Sequence, residues 1–178
     1  MMKRSSGLFL LVLLAVLSLM VPSALRADTV YLPLTARVFF DRPVTWATVR
    51  AIVDGDTVWV DVDGDGIQDV KVRYIGVDTP EIHFGTDCYG PEATARNREL
   101  VDGRLVALER DVSDTDRYDR LLRYIYLPDG TWVNGVLVGE GYAKAKRYAP
   151  DTRYAAALER LQEAARAERA GGWAACGW

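Results

Sequence analysis

The feature that most constrains this chain is a pair of period-two runs flanking an acidic, glycine-rich stretch. Val58, Val60 and Val62 alternate with Trp59 and Asp61, and a second β-rich run covers 70–77. Successive side chains of a strand point to opposite faces, so such alternation marks a strand with one face in a core. Asp61-Val62-Asp63-Gly64-Asp65-Gly66 lies between the runs and reads as a hairpin turn. It also opens like a calcium loop, with acids at alternating positions and Gly66 sixth from Asp61. The twelfth position, where such a loop needs a bidentate Glu, is Val72. A plain turn and an ion site at Asp61, Asp63 and Asp65 both stay open, and the missing Glu favours the turn.

The same parity puts Asp56 on the valine face. An acid there is unfavourable unless it is paired or holds a metal, and the adjacent Gly55 suggests a bulge that re-aims it. Arg73 shares its parity with Ile75 and Val77, as a group at a barrel mouth would. Further strands are expected at 48–53, 106–112 and 118–127. Gly90-Pro91-Glu92 opens a helix to Val101, with Pro91 suited to the first turn. A short helix is expected over 131–140. A last helix starts with Asp151 as its cap, carries Tyr154, Leu158, Leu161 and Ala165 on one face, and ends at Gly171-Gly172. These stripes read as ordinary core packing. The order predicts an α+β, mainly β fold, a five-stranded oligonucleotide-binding (OB) barrel with three helices.

Residues 1–27 have the layout of a signal peptide: Lys3 and Arg4, then an apolar run from Leu8 to Met20, then small residues at which cleavage after Ala24 or Ala27 fits. The run is short for a membrane span, although an uncleaved anchor is the alternative. Residues 28–44 read as a linker because Pro33 and Pro43 would break a sheet ladder. The domain is then 45–178. Removing residues 1–27, with three basic and no acidic side chains, takes the formal charge from −3 to −6. Bulk charge therefore cannot attract a polyanion, and phosphate recognition has to come from a local basic cluster. Cys88 and Cys176 permit one disulfide outside the cytoplasm, with two unpaired thiols as the alternative.

Four clusters carry chemistry: Asp54-Gly55-Asp56-Thr57, Arg73, Asp78-Thr79-Pro80-Glu81 and Arg117-Tyr118-Asp119-Arg120. Asp56 and Asp78 are acids at strand ends and suit a hard divalent ion. Pro80 keeps Thr79 out of helical geometry, which frees its carbonyl for a cation. Glu81 is close enough in sequence to reach a water held near that ion. Arg73 and Arg120 are suited to two-point contact with phosphate.

With Tyr89-Gly90-Pro91-Glu92-Ala93, Tyr124-Ile125-Tyr126 and Val133-Asn134 added in order, the chain resembles the staphylococcal nuclease (thermonuclease) family from about Trp46 to Trp173. The resemblance implies an OB barrel with three helices and Ca²⁺-dependent hydrolysis of DNA or RNA to 3′-phosphate ends. It implies Ca²⁺ at Asp56, Asp78 and the Thr79 carbonyl, with Asp54 bracing the ligands from behind. Glu81 would be the general base, Arg73 and Arg120 the phosphate clamp, Arg117 and Tyr118 contacts to a terminal phosphate, and Tyr148 a support for a base or ribose. The chain departs from the family at Asp119, where the family has Gly, and at Lys146, where it has Tyr. The implied protein is secreted or extracellular, anchored to the cell envelope if its signal is uncleaved, otherwise free of stable membrane association, and monomeric. A non-catalytic nucleic-acid-binding barrel and an exported domain with a structural calcium are the competing readings.

Overall fold

A computed structural model describes residues 42–82 and 85–178. The segment read as a signal peptide, 1–27, and nearly all of the segment read as a linker, 28–44, lie outside these residues. Val44, the last residue assigned to the linker, is the first of β1.

The barrel strands are β1 (Val44–Ile52), β2 (Thr57–Asp61), β3 (Val70–Tyr74), β5 (Leu105–Glu109) and β6 (Leu121–Tyr126). They close in the order β1-β2-β3-β6-β5, with all pairs antiparallel except β3 and β6. Of the alternating valines, Val58 and Val60 are buried in the barrel with Val49, Val72, Val106, Leu108 and Ile125, whereas Val62 lies past the end of β2 and is exposed. The parallel β3–β6 pair needs a crossover. That connection contains α1 (Gly90–Val101) and β5. Pro91 lies in the first turn of α1, whose Ala93, Asn97, Leu100 and Val101 are buried. The helices α2 (Val133–Gly139) and α3 (Ala155–Ala167) pack on each other, and Leu137 and Leu158 join the core. A one-turn α4 (Gly172–Ala175) follows.

Several sequence expectations need correction. Asp54-Gly55-Asp56 is the turn of the β1–β2 hairpin, closed by the Val53 and Asp54 N–H groups on Thr57 O, and the register shift falls between Val49 and Ala51. Arg50, in that shift, pairs with Asp61 at 2.5 Å. The run 70–77 is two strands. β3 stops at Tyr74, Gly76 turns the chain at φ 78°, and β4 (Val77–Asp78) pairs with β7 (Lys144–Ala145) in a separate sheet. Within β3, alternation puts Arg73 on the opposite face from the buried Val72 and Tyr74, and the turn ends that pattern before Val77. A side chain at Gly76 would also strike Leu158, with Cβ 2.5 Å from its Cδ1. Residues 118–120 form a turn ahead of β6. Asp151 is not the cap of α3, which begins four residues later at Ala155. It is buried and accepts the N–H groups of Val112 and Ser113 at 3.0 and 2.8 Å. Gly172 does not end the long helix, which stops at Ala167, but starts α4.

Two buried asparagines tie the layers together. Asn97 accepts from the Tyr74 hydroxyl at 3.0 Å and donates to Asp54 O at 2.9 Å. Asn134 accepts the Ile125 N–H at 2.8 Å and donates to Ile75 O at 2.9 Å, joining β6 to the β3–β4 turn. Asn134→Ala would strand two buried backbone groups, and each such group costs about 1–3 kcal/mol. Urea unfolding should show a loss of about 3 kcal/mol for this variant.

Candidate nuclease site

The site begins with the turn between β1 and β2. Asp54 Oδ1 accepts the Asp56 N–H at 3.0 Å, and Tyr74 N–H donates to Asp56 O at 2.9 Å, so the turn is held both from within and from β3. This directs the Asp56 carboxylate inward. Its Oδ2 accepts the Thr79 N–H at 2.9 Å and lies 2.9 Å from Arg73 Nη1, while Oδ1 accepts the Thr57 hydroxyl at 3.2 Å. Gly55 leaves room for this approach, because a Cβ there would fall 2.7 Å from Thr79 Cγ2. Arg73 Nη1 also donates to Tyr74 O and Val77 O, and Nη2 stands 3.6 Å from Asp78 Oδ1. Lys146 Nζ holds the other Asp78 oxygen at 3.0 Å and lies over the Tyr148 ring. Its hydrogen bonds to Tyr148, and then to Asp78, raise the pKa of the ammonium above the ordinary value.

Two clefts adjoin this centre. The first, about 530 Å³, is lined by Arg73, Arg117, Tyr118, Arg120 and Tyr148. Arg120 is held by Asp116, with Nε donating to Oδ2 at 2.7 Å, and the Arg117 and Arg120 guanidiniums both lie over the Tyr118 ring. Burial pushes the Asp116 carboxyl up. The bonds from Arg120 and from the N–H groups of Tyr118 and Arg120 outweigh burial and hold its pKa below the ordinary value. Asp119 is exposed, and the Arg120 ion pair goes to Asp116 instead. Asp119 has φ 59°, a left-handed conformation that glycine adopts without strain and Asp tolerates. The second cleft, about 500 Å³, is lined by Asp78, Thr79, Glu81, Lys144, Lys146 and the Cys88–Cys176 disulfide, whose Cα atoms are 6.0 Å apart.

The structure thus joins Asp56, Arg73, Asp78 and Thr79 by direct contacts. It sets Glu81 along one cleft beside Asp78 and Thr79, and Arg117, Tyr118, Arg120 and Tyr148 along the other beside Arg73. Sequence reasoning missed Asp116 as the partner of Arg120, Asp87 near Glu81, and the lysines 144 and 146 beside Asp78. An acid four residues before Arg120 was the available signal for Asp116. Among the described residues, the three carboxylates whose oxygens all lie within 4.8 Å are Asp61, Asp63 and Asp65. Asp61 is already satisfied by Arg50 and the N–H groups of Gly64 and Gly66, as a turn requires. A cation at Asp56 and Asp78 would therefore draw the rest of its shell from carbonyl, water and substrate oxygens.

A closed OB barrel that gathers carboxylates and guanidiniums at one rim defines a class, that of phosphate-directed OB domains. The staphylococcal nuclease homologue model matches residues 71–175. Thermonuclease from Staphylococcus intermedius is 37% identical over 128 residues, 70% of this chain and 74% of that protein. Endonuclease YncB of Bacillus subtilis is 37% identical over 136 residues, covering 74% of this chain and 63% of YncB. The prophage-derived endonuclease YokF of the same organism is 38% identical over 136 residues, which span 45% of YokF. The chain belongs to the staphylococcal nuclease homologue family. It is a phosphodiester-hydrolysing nuclease.

Burial pushes the Asp56 carboxyl up to about 6 from an ordinary 3.8, against the opposing pull of Arg73. The folded state therefore binds this proton more tightly than the unfolded chain does. The group's contribution to stability is full below the unfolded value and is lost as pH rises through the folded one. In cation-free protein, wild-type stability minus that of Asp56→Asn should fall between about pH 4 and about pH 7, by at most about 1.4 kcal/mol per pH unit. A flat difference in urea unfolding would mean that Asp56 titrates as it does in water.

Proposed function

We propose that this nuclease is exported, depends on calcium, and cuts DNA and RNA to leave 3′-phosphate ends. The observation that supports it most is the position of Arg73, which touches Asp56 at 2.9 Å and Asp78 at 3.6 Å and also lines the cleft of Arg120. Carboxylates suited to a cation and donors suited to a phosphate meet at that one side chain.

Asp56, Asp78 and the Thr79 carbonyl would hold the ion. The donor set fits a hard cation, since it is all oxygen and its two carboxylates already attract positive side chains, Arg73 and Lys146. When bound, Ca²⁺ supplies Lewis-acid polarisation of a phosphoryl oxygen. Arg73 and Arg120 donate hydrogen bonds to the phosphoryl oxygens, and these strengthen as charge grows in the transition state. Glu81 takes a proton from the attacking water. Arg117 and Tyr118 contact a terminal phosphate, and the half-exposed Tyr148 ring packs against a base or ribose. None of these groups reads a base edge, so both DNA and RNA fit. The 3′-phosphate products follow from the family resemblance, and export from the layout of residues 1–27.

Plasmid DNA and RNA incubated with calcium should be digested, and a chelator should stop the reaction. DNA retained uncut with calcium would favour the binding module. Glu81→Gln should lower kcat by about 10²–10⁴-fold without changing the melting temperature; full turnover would remove Glu81 from the mechanism. Arg73→Lys and Arg120→Lys should each be severely impaired, because an ammonium cannot reproduce the two-pronged contact. Normal digestion by both would end the clamp assignment.

A further inference from the structure

We propose that Asp87 and the Cys88–Cys176 disulfide are positioning elements for Glu81, an inference that rests on Glu81 as the residue that takes the proton. The Glu81 N–H donates to Asp87 Oδ2 at 3.2 Å, and the Asp87 N–H donates to Glu81 O at 2.9 Å. These reciprocal bonds clasp residue 81 to residue 87. The next residue, Cys88, is bonded to Cys176 just beyond α4. Tyr89 then takes φ 74°, stacks on Tyr142 with ring centroids 5.4 Å apart, and meets Trp178 edge-on at 6.1 Å. Helix α1 starts immediately, and Gly90 N–H donates to Asp87 O at 3.0 Å. Gly90 also presses on the clasp: a Cβ there would stand 2.9 Å from Glu81 O and 3.3 Å from Pro80 O.

The Glu81 backbone is thus held by Asp87, by the start of α1, and through Cys88 by the C-terminal segment. The side chain has no comparable support. It is exposed, and among the described residues its carboxylate forms no ion pair. Its location relative to Asp78 and Thr79 is therefore inherited from the backbone beneath it. A base displaced by roughly 1 Å can lose about 100-fold in rate. The disulfide also forms part of the wall of the cleft that holds Asp78, Thr79 and Glu81.

The test compares Asp87→Ala, Asp87→Asn, the Cys88→Ser/Cys176→Ser double variant, and wild type reduced by a dithiol. In the last case the protein disulfide becomes two thiols and the reagent leaves as its own cyclic disulfide. All are assayed below their melting temperatures, with calcium binding measured by calorimetry. Asp87→Ala and loss of the disulfide should each lower kcat by about 10–100-fold, with KM and calcium affinity changed less than about threefold. Asp87→Asn keeps an oxygen for the Glu81 N–H and should restore kcat to within about threefold of wild type. In a Glu81→Gln background neither Asp87→Ala nor reduction should lower the residual rate further, because the group they position is gone. An unchanged kcat in Asp87→Ala, or a fully additive loss in the Glu81→Gln background, overturns the proposal. If the double cysteine variant does not fold, the Asp87 variants decide. Full turnover in Glu81→Gln would overturn the catalytic reading beneath the proposal. An inactive Glu81→Gln beside a fully active Asp87→Ala would overturn the positioning role alone.

Discussion

The site depends on keeping one carboxylate, Asp56, out of water. Burial of an ionised acid is unfavourable by several kcal/mol unless opposite charge and hydrogen bonds replace its solvent. Here Arg73, the Thr79 N–H and the Thr57 hydroxyl all converge on it. Each of these contacts comes from a different part of the chain. Arg73 lies on β3, Thr79 just past β4 and Thr57 at the start of β2. The electrostatic demand of one side chain therefore fixes the relative positions of three segments. It also accounts for the turn at Asp54-Gly55-Asp56, where Gly55 allows close approach to Thr79 and Asp54 holds the backbone that aims the acid.

The barrel meets that demand by ending β3 early. An unbroken strand from 70 to 77 would have sent Asp78 and Thr79 further along the β3 direction. The left-handed turn at Gly76 instead moves β4 into a second sheet with β7, and this brings Lys146 to Asp78. Leu158 fills the space beneath Gly76, and Asn134 takes up the carbonyl of Ile75, so α2 and α3 support the turn. These two helices thus hold the break on which the site is built.

Much of this was legible in the sequence where one physical rule acted alone. The alternating valines of β2 marked the core face, and the same parity singled out Asp56 as an acid that needed partners. The helix start at Pro91 and the stripe at Leu158, Leu161 and Ala165 followed from local chemistry. Reading failed where a turn interrupted a pattern. Parity put Arg73 with Ile75 and Val77, but the turn at Gly76 ends the pattern before Val77, which joins another sheet. Asp151 looked like a helix cap because acids are common there, yet its carboxylate is taken by the N–H groups of Val112 and Ser113, nearly forty residues earlier. Contacts of that range leave no local trace. The Cys88–Cys176 disulfide, 88 residues apart, was one of two alternatives open in the sequence, and the structure forms it. Asp119 is the opposite case: its left-handed φ gives a backbone reason for a glycine at that position, and the side chain's exposure leaves Arg120 to Asp116.

The chain's net negative charge gives these pairings a further consequence. Arg73 is engaged by Asp56 and Asp78, and Arg120 by Asp116. A phosphate that reaches Arg73 and Arg120 therefore competes with carboxylates for their guanidinium donors. Arg73 can turn fully to a phosphate only where something else balances Asp56 and Asp78, and Lys146 is near enough to balance only Asp78. Asp56 is the more demanding of the two, because it is the more deeply buried. On electrostatic grounds, a cation at Asp56 and Asp78 and a phosphate at this rim would be coupled, since a cation that neutralises the acids would release the donors a phosphate needs. A need for a divalent ion would then arise from how the arginines are paired, as well as from the chemistry at phosphorus.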